Sequence, residues 1–209
     1  MIGVINYGAG NLGSVMNALG RIGVKAYFVN EPDELVPGKS PYEKIIFPGD
    51  GHFATAMKAL QNTGYENVIR EWIYADKPFL GICIGLQLLF ECSEEAPPEA
   101  GRPVQGLSVL KGNVRLFPGV KVPQIGWNRT VPSSKSRLFA GLGGAQFFYY
   151  IHSYYVIPDN AEDSVATADY SVEFCAAVER SALCAVQFHP EKSGAPGLKL
   201  LENWAIGSS

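Results

Sequence analysis

The sequence predicts an α/β fold: a doubly wound, mostly parallel sheet flanked by helices, with an added antiparallel hairpin region. Three observations lead there. From Ile2 to Phe90 short apolar runs alternate with longer amphipathic ones, the rhythm of βαβ units. Around Ala96 to Pro103 the composition shifts to Pro, Glu and Gly, and the residues beyond it are turn-rich and strand-like. The closing stretch, Gly197 to Ile206, returns to helical spacing.

In order, Ile2–Ile5 reads as strand, Leu12–Ile22 as helix, Ala26–Val29 and Ile45–Phe47 as strands, and Phe53–Leu60 and Val68–Tyr74 as helices. Phe79–Ile82 reads as strand and Leu86–Phe90 as helix. Parallel strands joined by crossovers point the same way, so the loops at their carboxyl ends share one edge, where such a sheet carries its reactive groups. Beyond the compositional shift, Val109–Phe117, Gln146–Val156, Glu173–Glu179 and Leu183–Phe188 read as strands of hairpins packed beside the sheet. The last helix is expected to cover a sheet face.

With 209 residues, 47% of them hydrophobic, the chain can bury one sizeable core, and a single domain over 1–209 is expected. A net charge of −3 without runs of like charge gives no electrostatic reason to expect nucleic acid or an anionic membrane as partner. No apolar segment approaches the roughly 20 residues of a membrane span. The start, MIGVINYGAGN, lacks the basic and apolar regions of a signal peptide. Four cysteines without a C-x-x-C pair add to the expectation of a reducing, cytoplasmic compartment. No metal or cofactor is expected.

The sharpest local signal is Gly81-Ile82-Cys83-Ile84-Gly85, set between a predicted strand and a predicted helix. This is the spacing of a nucleophile elbow with cysteine in place of serine. Small neighbours permit the tight turn, the sulfur rises above the sheet, and a helix N-terminus there favours thiolate. The Ile84 N–H would point at a developing oxyanion. Cys92, Cys175 and Cys184 carry no such context and read as ordinary buried cysteines.

Three histidines, His52, His152 and His189, are the candidates for a base, and only His189 directly follows an apolar strand. A parallel strand ending there would deliver it to the same sheet edge as Cys83. Glu191, two residues on across Pro190, can accept a hydrogen bond from the ring nitrogen that does not face sulfur, which fixes tautomer and orientation. Cys83, His189 and Glu191 therefore read as a triad.

A competing signal lies in Gly8-Ala9-Gly10-Asn11-Leu12-Gly13, which follows a strand, opens a helix and is trailed by Glu31: on paper a dinucleotide fingerprint and hence an oxidoreductase. Against it, Asn30 to Asp33 reads equally well as a plain turn, and the chain leaves little room for a separate substrate domain.

The cysteine motif together with Phe188-His189-Pro190-Glu191 resembles the class I, triad-type glutamine amidotransferases. Tyr7-Gly-Ala-Gly-Asn-Leu-Gly-Ser-Val, Pro123-Gln-Ile-Gly-Trp-Asn128, Ile151-His-Ser-Tyr-Tyr155 and His189-Pro-Glu-Lys-Ser-Gly194 narrow the resemblance to the glutaminase subunits of imidazole glycerol phosphate synthases. The resemblance implies glutamine as substrate and a heterodimer with a (β/α)8-barrel synthase that receives the ammonia. It implies substrate contacts from Gly49, Gly51, Gln87, Ser153 and Tyr154, and a second oxyanion donor at Asp50 in Pro48-Gly49-Asp50-Gly51, a loop that works only when the synthase is engaged. Interface candidates by the same resemblance are Tyr7, Asn11, Trp127 and Asn128. Asp50 departs from the valine usual there; aspartate tolerates unusual φ more readily, so the loop is expected to flip more easily and suppress basal activity less. The alternative within this chemistry is a paralogous glutaminase feeding another barrel, in amino-sugar or polysaccharide synthesis.

Overall fold

The computed structural model describes residues 1–8, 10–95 and 103–207; Ala9 of the glycine-rich motif and most of the Pro- and Glu-rich segment beginning at Ala96 lie outside them. In chain order the first elements are β1 (Ile2–Ile5), α1 (Leu12–Arg21), β2 (Ala26–Val29), β3 (Lys44–Gly49), α2 (Phe53–Thr63), α3 (Tyr65–Tyr74), β4 (Phe79–Cys83) and α4 (Ile84–Gln87). Next come β5 (Cys92–Ser93), β6 (Val104–Gln105), β7 (Gly112–Leu116), β8 (Gln124–Pro132), β9 (Gln146–His152) and β10 (Tyr154–Pro158). The chain closes with β11 (Ser164–Tyr170), β12 (Val172–Arg180), β13 (Leu183–Val186) and α5 (Gly194–Ile206).

The centre is a parallel array in the order β2-β1-β3-β4-β13. Strands β1, β4 and β13 are buried at every position, which continuous apolar runs covered on both faces produce. On one face, Val15 and Leu19 of α1 and Leu200, Leu201 and Trp204 of α5 join a single apolar cluster. On the other, Phe53, Met57 and Leu60 of α2 and Ile69 and Trp72 of α3 build a second. The doubly wound expectation holds, with a core on each side of the sheet.

The antiparallel strands are not a neighbouring layer; they continue the sheet by hydrogen bonding. Strand β12 pairs antiparallel with β13 and divides the sheet into two branches, one through β10 and β7, the other through β11, β8 and β9. The predicted continuous strand Gln146–Val156 is accordingly broken at Ser153, whose carbonyl accepts from Phe117 N–H, so that β9 serves one branch and β10 the other. Strands β8 and β11 have no counterpart in the expectation.

Helix α4 also differs. It starts at Ile84 and closes after one turn instead of running from Leu86 to Phe90. The carbonyls of Leu88, Leu89 and Phe90 accept from the N–H groups of Leu107, Val109 and Ser108, so the returning chain takes the bonds that further turns would have used.

The one-turn helix is pressed onto β3: a Cβ on Gly85 would run into the Phe47 carbonyl oxygen. Gly85→Ala is therefore expected to lower unfolding free energy by about 1–3 kcal/mol, the usual cost of overpacking, in urea denaturation. Unchanged stability would mean that α4 does not pack against β3 in this way.

Candidate active site

Strands β3, β4 and β13 end side by side, with Gly49 opposite Cys83 and Ile82 opposite both Pro48 and Val186. His189 comes three residues after Val186. Parallel register thus brings the cysteine, the histidine and the Gly49-Asp50-Gly51 loop to one edge.

Cys83 adopts φ 55° and ψ −108°, a backbone state that residues with a Cβ rarely enter. Its neighbours explain how the turn is held. A Cβ on Gly81 would lie 2.7 Å from the Gly85 carbonyl oxygen and 3.0 Å from Ala185 Cβ. The elbow closes because both glycines let backbone meet backbone. The sulfur, on a residue only 6% exposed, lies 3.8 Å from the Ile151 carbonyl oxygen and 3.7 Å from Gln187 Nε2. Since α4 has only four residues, little macrodipole stands behind the sulfur, contrary to the expectation from sequence. The local field comes from His189 instead.

His189 is pinned at its backbone. Its N–H donates to Tyr149 O at 2.9 Å, and its carbonyl accepts from Ser193 Oγ at 2.6 Å, the same hydroxyl that accepts from Tyr149 N–H. Its Nδ1 is 2.8 Å from Glu191 Oε1, in a pair whose side chains are 6% and 2% exposed. Burial alone would push the imidazole pKa down; the charge and hydrogen bond of Cys83, then those of Glu191, outweigh it and lift the pKa to about 10. An imidazolium between sulfur and carboxylate is the result. Glu191 Oε2, buried and without a partner among the described residues, adds to the need for that positive charge.

A cavity of about 300 Å³ opens over the sulfur and takes in Asp50, Gly51, Ile84, Gln87, Ser153 and Tyr154 along with Cys83 and His189. Glu95 and Lys192 line it too, and sequence reasoning passed over both. Glu95 is anchored by Phe53 N–H at 2.8 Å and by His52 Nδ1 at 2.8 Å. Glu95 stands just before the Pro- and Glu-rich shift at Ala96, outside every motif that the sequence singles out. Gln87 Nε2 donates to Tyr154 O and to Gln187 Oε1, both at 3.0 Å, so only its oxygen is left to meet a ligand. His152 is no base: burial pushes its pKa down to about 4, and its ring spans Tyr154 O and Gln124 Oε1. A neutral imidazole with Nδ1–H on that carbonyl must accept at Nε2, which turns the Gln124 amide so that NH2 faces the ring.

The interface candidates separate. Trp127 is 57% exposed and Asn11 is exposed, capping α1 by accepting from Ser14 N–H. Asn128 has both ends of its amide occupied, by Asp169 O and by Arg129 N–H. Tyr7 is not a surface residue. It is 3% exposed, its hydroxyl, without a partner among the described residues, sits where a Cβ on Gly49 would come within 2.6 Å, and burial, then Asp50 and Cys83, raise its pKa.

Asp50 keeps an ordinary negative φ, and the positive φ of 87° falls on Gly51. Its carboxylate accepts from Gly10 N–H at 3.0 Å and ties this loop to the glycine motif. The expectation of an easily flipping loop is revised accordingly, because reorientation must first break a charge-assisted hydrogen bond. The same bond disposes of the dinucleotide reading. The loop amide that would cradle a phosphate already holds a carboxylate, and Glu31 caps the turn Pro32–Leu35.

A larger hollow of about 480 Å³ opens between α5 and the start of β13. Its cations are already paired, Arg137 with Glu179 and Lys199 with Glu202, and burial pushes its Cys184 thiol up to about 12. Among the described residues that line it there is no histidine to deprotonate that thiol.

Comparison with known proteins identifies the family. Residues 3–207 match the family model described as glutamine amidotransferase class-I. The chain is 43% identical to the imidazole glycerol phosphate synthase subunit HisH of Moorella thermoacetica, over 97% of this chain and 93% of that one. It is 44% identical to the HisH of Desulfitobacterium hafniense, over 98% and 93%. Among solved structures, PurLQS from Thermotoga maritima superposes with a TM-score of 0.74 at 18% identity, over 97% of this chain and 96% of that one, a likeness of fold. A family match over nearly the whole length and relatives above 40% identity lead to one conclusion: the chain belongs to the class I glutamine amidotransferases.

Proposed function

We propose that the protein hydrolyses glutamine to glutamate and ammonia through Cys83, His189 and Glu191, as the glutaminase subunit of an imidazole glycerol phosphate synthase. The observation that carries the reading is the juxtaposition at one sheet edge of a strained, elbow-borne cysteine with a buried His189–Glu191 pair. The sulfur attacks the side-chain carboxamide carbon, and the His189 imidazolium gives its proton to the leaving ammonia. A glutamyl thioester remains. Neutral His189 then takes a proton from water, which releases glutamate, while Glu191 keeps the ring aimed in both steps. The Ile84 N–H serves the oxyanion, and the Gly49-Asp50-Gly51 loop supplies the second donor after it reorients. Glu95 and the free Gln87 oxygen receive the substrate's α-ammonium, with Ser153 and Tyr154 backbone beside them.

The partner is a (β/α)8-barrel synthase that consumes the ammonia and yields imidazole glycerol phosphate and aminoimidazole carboxamide ribotide in histidine biosynthesis. Two features support it. The relatives above 40% identity are described as subunits of imidazole glycerol phosphate synthase. In addition, β8 and β9 present an apolar face beside the cavity, with Ile125 63%, Trp127 57% and Phe147 57% exposed and Trp127 paired across the strands with Tyr149. A monomer rarely leaves such a patch uncovered. A cytoplasmic location accords with this role; among the described residues no helix is long and apolar enough to cross a membrane.

Glutamate release is expected from the purified chain with a histidine-pathway synthase subunit and its nucleotide ligand, stimulated over the chain alone and abolished in Cys83→Ala. Cys83-dependent turnover that this partner never stimulates would instead favour a paralogous glutaminase serving another barrel. Removing the Asp50 tether gives a second expectation. Asp50→Ala should raise the unstimulated rate about fivefold, the worth of one hydrogen bond. An unchanged or lower unstimulated rate would show that the tether does not restrain the oxyanion loop.

A further inference from the structure

Just beyond β13, between apolar neighbours, stands Gln187, a carboxamide with no exposed surface. Burying such a group is costly unless both its ends find partners. Its orientation is set by a chain of constraints that begins at a carbonyl. Tyr154 O can only accept, so Gln87 must turn its NH2 toward it, at 3.0 Å. The other hydrogen of that nitrogen reaches Gln187 Oε1, also at 3.0 Å. With its oxygen engaged, Gln187 has its own NH2 on the opposite side, 3.7 Å from Cys83 Sγ.

We infer that Gln187 is a positioning residue for Cys83: its amide N–H, aimed by Gln87 and the Tyr154 carbonyl, donates to the sulfur, stabilises the thiolate and holds it for attack. The inference rests on the glutaminase reading and adds to it a group outside the triad. The arrangement gives the sulfur two partners of opposite preference. The Ile151 carbonyl at 3.8 Å can accept only from the thiol, whereas the Gln187 amide favours the thiolate. Titratable groups around the sulfur are His189 with Glu191 behind it, Tyr7, Asp50 and, across the cavity, His52, His152, Tyr154, Glu95 and Lys192. Gln187 is itself neutral, so substituting it removes no charged group from this set.

The test is alkylation of Cys83 by iodoacetamide, followed on the Cys83 peptide by mass spectrometry across a pH series, in the full chain. Gln187→Met keeps length and neutrality but removes the donor. Alkylation near pH 7 is expected to slow about tenfold, with the deficit closing as pH rises, the loss of one hydrogen bond to a charged group. Glutamine turnover should fall through kcat with KM little changed. If Gln187→Met does not melt cooperatively, Gln87→Met, which frees the Gln187 amide to turn, should give the same pH-dependent deficit. A folded variant alkylated at the wild-type rate throughout would overturn the inference. Alkylation is read without turnover, so glutamine hydrolysis by the unsubstituted chain judges the glutaminase reading separately.

Discussion

Cys83 sits in a left-handed backbone state between two glycines whose hydrogens are where side chains would be, and the site depends on that turn. A strained residue of this kind costs on the order of 1–3 kcal/mol and persists only where the surroundings fix it. Here they do so from both sides. Strand β4 lies between β3 and β13, so the elbow is pressed against Phe47 on one side and Ala185 on the other. Neighbouring strands in register place their next residues around the sulfur, which is how the Gly49 loop and His189 reach it.

Charge placement derives from the same geometry. His189 is held toward its protonated form because the cost of burying the ring is smaller than the attraction of Cys83 and of Glu191, whose carboxylate lies against Nδ1. Ser193 ties the turn to β9, so the imidazole has little freedom to leave. On the far side of the cavity a second histidine is treated in the opposite way. His152 is held neutral among aromatic rings, where it braces the Tyr154 carbonyl that orients Gln87. Two histidines in one cavity thus take opposite charge states from their surroundings.

Much of this is legible in the residues, for identifiable reasons. Strands β1 and β2 have the ends that the apolar runs predict: β1 is buried throughout, and β2, a largely exposed edge strand, still carries an apolar run bounded by Lys25 and Asn30. The elbow is legible because its turn chemistry is local, and the His189–Glu191 pair because it spans two residues. The features that escape depend on distant parts of the chain. Helix α4 is not continued because residues 107–110 take the carbonyls of Leu88 to Phe90 just beyond it. Strand β8 escapes because exposed Ile125, Trp127 and Val131 alternate with half-buried positions around a glycine, leaving no apolar run to see. The Asp50–Gly10 bond joins residues forty apart, and no local rule anticipates it. Gln187 does leave a trace, as a lone amide in an apolar run, but its meaning appears only with Gln87 and Cys83 around it.

The central claim is that Cys83 carries the glutamyl group during turnover. The direct measurement is rapid acid quenching of the chain, with its synthase partner, during glutamine hydrolysis, and then mass spectrometry of its peptides. One glutamyl group is expected on the peptide containing Cys83, accumulating when His189 is replaced only to the extent that acylation still proceeds. A glutamyl group on Cys92, Cys175 or Cys184, or turnover with no acylated peptide in the unsubstituted enzyme under conditions where deacylation limits the rate, would contradict it.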